Sequence, residues 1–373
     1  MNVTIIGSGI IGATAAYYLA KRGVHVTLID RNEPGRATDA AAGIICPWLA
    51  QRRNKAWYEL ARQGARIYPD LIEQLIADGA KETGYKRVGA LGLHTVDKRL
   101  FAAEKRVLKR KENAPEIGDV ILLNKKETAE RFPLLEKDRF RSIYISGAAR
   151  VNGKLLRKSL IHAAEKYGAV VIEGDAKLAH HDGKIYGVIV NDEVYEADFL
   201  IVVNGAWMKQ LFTPVGIDLS VKPQKAQIIH LEVNDHSQSW PVIMPPNNQY
   251  ILPIDENKII VGATHETKAG FDRRVTAGGV HEILTKAMEI VPKLATSTFK
   301  QINVGFRPFT PNSLPVFGHL PGQENVLLAN GLGASGLTTG PLIGIQLSKI
   351  ILNKQSDLDP SPYQITNILV NGE

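Results

Sequence analysis

The apolar pattern of the chain predicts two kinds of sheet. Val3 to Ile6 is a short β-branched run without polar alternation, as in a parallel strand buried on both faces. Ile11 to Lys21 follows as a proline-free stretch of helix formers, Gly23 closes it, and Val24 to Ile29 reads as a second buried strand. Trp57 to Ala77 has the spacing of one helix, Val88 to Val96 of a strand, and Arg99 to Lys111 of a charged helix. Lys126 to Phe132 is a short helix stopped by Pro133, and Tyr144 lies on a further strand. Lys154 to Tyr167 is amphipathic and leads through Gly168 into the strand Ala169 to Glu173. Lys177 to His181, Lys184 to Val190 and Val194 to Ala197 are separated by Asp182-Gly183 and Asn191-Asp192 and predict an antiparallel meander. Phe199 to Val203 is then a third buried strand. Lys222 to Val233, Tyr250 to Pro253 and Lys258 to Gly262 belong to a second sheet, and Val280 to Ile290 is a helix ended by Pro292. A last buried strand, Val326 to Ala329, precedes the helix Leu337 to Leu352.

The glycines give the first unit its chemistry. Gly7, Gly9 and Gly12 spell G-x-G-x-x-G between the first strand and its helix, and Asp30 ends the second strand. Gly7 permits the tight turn, Gly9 lets a pyrophosphate approach the backbone, and Gly12 lets the helix pack on the strands. The helix N-terminus presents free N–H groups to phosphates, and Asp30 can accept from ribose hydroxyls while repelling a 2′-phosphate. The unit predicts dinucleotide binding; it does not separate FAD from NAD. A second glycine-rich strand-to-helix turn, Asn330 to Gly336, comes near the far end.

Composition narrows the classes. The 373 residues are 44% hydrophobic and 22% charged, an ordinary globular balance for two domains or one elaborated one. The uncharged stretch Met1 to Ala20 resembles a secretory signal, but its cations Lys21 and Arg22 follow the apolar run instead of preceding it. No membrane span is expected. The single cysteine, Cys46, leaves no internal disulfide and fits a cytoplasmic location. The net charge of +7 favours anionic ligands. Lys98 to Lys111 reads as a solvated helix face, so nucleic acid is not expected, and His180 and His181 read as exposed turn residues, so no metal is expected.

These motifs in this order resemble the D-amino-acid oxidase superfamily of flavoproteins, the glycine oxidases and D-amino-acid dehydrogenases most of all. The resemblance rests on Ile5 to Leu19 with Asp30, Thr38 to Ile44, the meander ending in Asn204-Gly205-Ala206-Trp207, Tyr250 to Pro253, Val261 to Thr264, Gly305 to Pro308, and Gly331 to Thr338. It implies a mixed α/β fold: a Rossmann-like FAD domain with a β-meander crossover, and a substrate domain on a mostly antiparallel sheet. Residues 1–85, 150–212 and 300–373 would form the first, and 86–149 and 213–299 the second. Non-covalent FAD is implied. Ile10 and Ile11 would face its pyrophosphate beside Gly7, Gly9 and Gly12. Asp30 and Arg31 would meet the adenosine ribose, and Lys177 the adenine. Thr38, Ala42, Gly43 and Ile44 would line pyrophosphate and flavin, with Gly205 nearby. Gly333, Ala334, Ser335, Gly336, Leu337 and Thr338 would cover the pyrimidine ring, where a helix N-terminus stabilises negative charge.

On the substrate side the resemblance implies Arg307 and Tyr250, a guanidinium and a phenol for a carboxylate. Between Phe299 and Pro315 there is no acid to pair with Arg307. The implied reaction oxidises the Cα–N bond of a small anionic amino acid (glycine, an N-methyl glycine or a D-amino acid) by hydride transfer, with no acid–base residue. O₂ or another carrier takes the electrons. A dehydrogenase reducing a quinone, a 2-hydroxy-acid substrate, and a non-catalytic FAD- or NAD-binding protein are the alternatives. Ala334 stands where glycine oxidases place an arginine, so one of their anchors is missing here. His265, just past the Gly262-Ala263-Thr264 strand end, reads as a loop histidine without a role, with an approach to the site as the alternative; Arg52 and Arg53 read as exposed residues at a helix start, with binding of a second substrate carboxylate as the alternative. The resemblance also implies a homo-oligomer.

Overall fold

The computed structural model describes residues 1–370. Its first sheet has six strands in the order Val316–Leu320, Gln323–Asn330, Phe199–Val202, Asn2–Ile6, His25–Asp30 and Val170–Glu173. All neighbours are parallel except the first two. Asn2–Ile6 sits in the middle and is buried after its first residue, as an unbroken apolar run requires. The following helix, Ile10–Ala20, is buried at every position and packs between Gly153–Lys166 and Gly336–Ile351. It comes this close to its strand because residue 12 is glycine: a Cβ there would lie 1.9 Å from the carbonyl oxygen of Gly7.

The meander Lys177–His181, Lys184–Val190 and Glu193–Glu196 fills the crossover between Val170–Glu173 and Phe199–Val202. The second large sheet runs Thr298–Phe309, Lys222–Glu232, Lys258–Gly262, Tyr250–Pro253, Val242–Met244, Ala90–His94, Arg141–Ile145 and Val120–Leu123. It is antiparallel except where Val242–Met244 meets Ala90–His94. Thr298–Phe309 lies at its edge, where Pro308 can do without an N–H for a second neighbour.

Several elements differ from the sequence pattern, among them the unpredicted strands Thr298–Phe309 and Val316–Leu320. The stretch expected as one helix over Trp57 to Ala77 is two, Lys55–Arg66 and Tyr68–Ala77, because Pro69 removes an N–H and crowds the carbonyl one turn back. Val242–Met244 and Val120–Leu123 are strands too short for a periodicity to declare itself. Pro341 lies inside the helix Gly336–Ile351 and leaves the Leu337 carbonyl without its partner from one turn on. The buried Tyr68 hydroxyl donates to that carbonyl and replaces the missing bond.

Candidate active site

A cavity of about 1050 Å³ runs from the carboxyl ends of the parallel strands to one face of the eight-stranded sheet. Every residue expected at the cofactor or substrate lines it except Gly12, whose Cα packs helix against strand as expected and which faces the cavity's end with its backbone amide alone. One end holds Asp30, Arg31 and Lys177. The Asp30 carboxylate accepts from the N–H of Ser8 at 2.6 Å and of Asn32 at 2.7 Å, and pairs with Arg36 at 2.5 Å. Burial alone would raise its pKa; Arg36 and the two amides outweigh burial and hold it below the usual carboxylate range.

Arg36 continues this chain of charge. It pairs with Asp39 at 3.0 Å, and Arg157 grips the same carboxylate through Nε at 2.8 Å and Nη2 at 3.0 Å. The fork fixes the short helix Ala37–Ala40, whose Thr38 hydroxyl accepts the Ile10 N–H at 3.0 Å. The next first-turn amides, Ile11 and Gly12, have no intrahelical acceptor, so this helix end is suited to a phosphate group. Sequence reasoning missed Arg36, although Asp39 stands only three residues on, and Arg157, whose partner the fold brings up from 118 residues away.

The middle of the cavity is bare backbone. Gly43 has φ +95°, and a Cβ on it would lie 1.8 Å from the Val151 carbonyl oxygen. Gly205 has φ +61° and open space where a Cβ would stand, beside the buried and unpartnered Asn204 Oδ1. From the far side comes the Gly333–Thr338 turn, held by Trp57 Nε1 donating to Ser335 Oγ at 2.9 Å and Thr338 Oγ1 donating to the Ile44 carbonyl at 3.3 Å. Helix Gly336–Ile351 begins here, so its N-terminus borders the cavity. Cys46 lines the cavity wall, and burial pushes its thiol up to about 12, which keeps it protonated and inert.

The sheet supplies the other end. Gln224 pairs with Arg307, Ala226 with Gly305, and Ile228 with Gly262, which in turn pairs with Tyr250. These residues share one face, since alternate positions along a strand do. Between the large polar groups Arg307 and Tyr250 the cavity is lined by Ala226, Ile228 and Gly305. Arg307 Nη1 is 3.4 Å from Gln224 Oε1 and 3.1 Å from His265 Nδ1, and no carboxylate pairs with it among the described residues. Burial lowers the Arg307 pKa and raises the Tyr250 phenol to about 12, so the first stays a cation and the second a donor at neutral pH. His265 is thus part of the site, contrary to its reading as an idle loop residue. Arg52 also departs from expectation: it is half-buried, lies 4.8 Å over the Trp57 ring and donates to the Ser313 carbonyl.

The model of the FAD dependent oxidoreductase (DAO) family matches residues 2–350. The chain belongs to this family. Its sequence is 55% identical over 361 residues to the uncharacterized oxidoreductase YurR of Bacillus subtilis (strain 168), covering 96% of this chain and 97% of the relative. The structure of iminodiacetate oxidase from Chelativorans sp. BNC1 superposes with a TM-score of 0.93 at 41% identity, over 97% of this chain and 98% of that one. The structure of glycine oxidase from Geobacillus kaustophilus gives 0.84 at 27% identity, over 97% of each chain. The chain is accordingly an FAD-dependent oxidoreductase of the type acting on amines and amino acids, built on a Rossmann-like cofactor sheet. The open cradle at Gly205, the free helix amides and the acid at the strand end fit a dinucleotide of that shape. Among the described residues no helix is long and apolar enough to cross a membrane.

Proposed function

We propose that this family member oxidises the Cα–N bond of a small amino acid: glycine, an N-substituted glycine or a D-amino acid. The observation that carries the reading is Arg307, a cavity-lining guanidinium whose side-chain hydrogen-bond partners among the described residues are the neutral acceptors Gln224 and His265. Its charge is left for a ligand, and a carboxylate matches its fork. The likeness to iminodiacetate oxidase supports including glycines with a carboxymethyl group on nitrogen.

Asp30 would hold the adenosine ribose, the amides of Ile11 and Gly12 the pyrophosphate, and the Gly333–Thr338 turn the pyrimidine edge of the ring. The six-stranded sheet with its meander would be the cofactor domain and the eight-stranded sheet the substrate domain. When bound, FAD supplies the hydride acceptor. The protein's part is placement. Arg307 binds the substrate carboxylate, Tyr250 donates to one of its oxygens, and this two-point hold orients the Cα–H toward the cofactor. The nitrogen lone pair forms the C=N bond as hydride leaves, a proton goes from nitrogen to water, and hydrolysis gives a 2-oxo acid and the amine or ammonia. Water can take that proton, so no side chain is needed as a base.

Product analysis tests this. The FAD-loaded enzyme is incubated in air with glycine, sarcosine, iminodiacetate, D-alanine, D-proline and a 2-hydroxy acid. Formation of a 2-oxo acid with equimolar amine or ammonia, or for D-proline of the ring-opened acid that keeps its own amino group, supports the reading. Turnover of the 2-hydroxy acid alone would replace it with alcohol oxidation. A dehydrogenase passing electrons to a quinone would form the same products only once an artificial acceptor is added.

A further inference from the structure

Away from the main cavity, a cleft of about 650 Å³ opens between helices Lys55–Arg66 and Asp97–Lys111. Its walls are cationic: Lys105, Arg106, Lys109 and Arg110 from one helix, Lys55 and Arg62 from the other. The cleft contains one acid, Glu59, and that carboxylate is already taken by Arg62 at 2.5 Å and Gln63 at 2.7 Å. Glu116 faces Tyr58 and Arg62, but both of its oxygens are sealed from solvent. Arg106 is half-buried and has neither an ion-pair nor a hydrogen-bond partner among the described residues; its Nε is buried and unpaired. Arg110, one turn further on, stacks 4.3 Å over the Tyr58 ring and donates only to the carbonyls of Trp48 and Ala50, at 2.6 and 2.8 Å. Two half-buried guanidiniums at i and i+4 repel each other, and withdrawing such charge from water without a counter-charge is costly.

We propose that this cleft is a binding site for a small polyanion of phosphate type, a diphosphate or phosphate ester, gripped by Arg106 and Arg110 with Lys105 and Lys109. The guanidinium fork suits two oxygens of such a group. Arg110 also carries the event inward. The carbonyls it holds belong to the Pro47–Leu49 turn and its exit, and Cys46 and Pro47 line the main cavity. An anion that draws Arg110 toward the cleft shifts this wall and changes substrate KM, while FAD stays bound.

The test is a calorimetric titration of the FAD-loaded enzyme with inorganic pyrophosphate and with phosphate at constant ionic strength, beside substrate KM with and without pyrophosphate. Saturable binding near one per chain is expected, weakened about tenfold or more in Arg106→Gln and retained in Arg307→Lys. The KM shift should vanish in Arg106→Gln, and Lys109→Gln serves as a second variant should the first fold poorly. No saturable heat, or binding undiminished in both variants, overturns the site. Loss of binding in Arg307→Lys would place the anion in the main cavity instead. Binding of long polyanions alone would make the cleft a macromolecular surface, also against the proposal. Binding with an unchanged KM would overturn the coupling. The calorimetry does not depend on the identity of the substrate, so its failure and that of the proposed function can be told apart.

Discussion

Arg307 Nη1 lies 3.1 Å from Nδ1 of His265. A guanidinium has only protons to offer, so Nδ1 accepts, and the imidazole is the neutral tautomer with its proton on Nε2. Gln224 Oε1, 3.4 Å from the same Nη1, is a second neutral acceptor. Arg307 is thus aimed without being neutralised.

A pH dependence follows from this pair. Burial first, then Arg307 and more weakly Lys286, hold the His265 pKa below its ordinary value; Glu282 acts the other way. Above that lowered pKa His265 is neutral and accepts from Arg307. As pH falls through it, an imidazolium loses the acceptor and sets a second cation against the guanidinium. Substrate KM should therefore rise on the acid side, with a midpoint below about 6.5. His265→Asn keeps an acceptor and removes the titration. The ratio of wild-type to variant KM across pH isolates the effect, because titration of the substrate amine is common to both. A flat ratio would contradict the assignment.

Arg307→Ala should leave FAD content and the flavin spectrum intact while kcat/KM falls by roughly a hundredfold or more, from about 3 kcal/mol of paired charge-assisted hydrogen bonds. Steady-state kinetics with flavin quantified per chain read both quantities. Tyr250→Phe should cost less, about tenfold, for one neutral donor. It should remove no limb of the pH profile below 10, since the phenol is pushed up to about 12.

The two cavity glycines should separate fold from cofactor binding. A Cβ at residue 43 meets the Val151 carbonyl oxygen at 1.8 Å, so Gly43→Ala should lower the melting temperature sharply and cut soluble yield. Gly205→Ala meets nothing and carries only the strain of its positive φ, about 1 kcal/mol. It should fold and bind FAD more weakly, because the new methyl group enters the cavity. Thermal melts with and without added FAD distinguish the two outcomes.

Asp30→Asn should weaken FAD and make its retention insensitive to acid. The native carboxyl is held below its ordinary value, so its contribution is present above pH about 3.9 and is lost as pH falls through the lowered folded value. Flavin release against pH, followed by fluorescence, should show an acid step in the wild type that is absent from the variant.

The first strand–helix–strand unit was legible because its signals are local: an apolar run, three glycines at fixed spacing and a terminal acid within the first 30 residues. Arg307 stood out for the same reason, with no acid near it in sequence. The break at Pro69 was present in the sequence but outweighed by apolar spacing continuing through it. Arg157 and His265 gave no such signal. Arg157 meets Asp39 across 118 residues of chain by helix packing, and His265 meets Arg307 across 42 through the sheet order, so only the fold brings them together. Val242–Met244 joins distant halves of the second sheet with three residues, and no period can be read from three.

The central claim is that Arg307 anchors an amino acid for oxidation at Cα, and an anaerobic absorbance titration of the flavin tests it most directly. Glycine, sarcosine, iminodiacetate, D-alanine and D-proline would be added in turn to wild type and Arg307→Ala under exclusion of oxygen. The account predicts that at least one amino acid bleaches the oxidised flavin band of the wild type, at concentrations that fail with the variant, and that admitting air or a quinone restores it. Equal bleaching of both proteins by the same amino acid at the same concentration, or bleaching by none of the five, would contradict it.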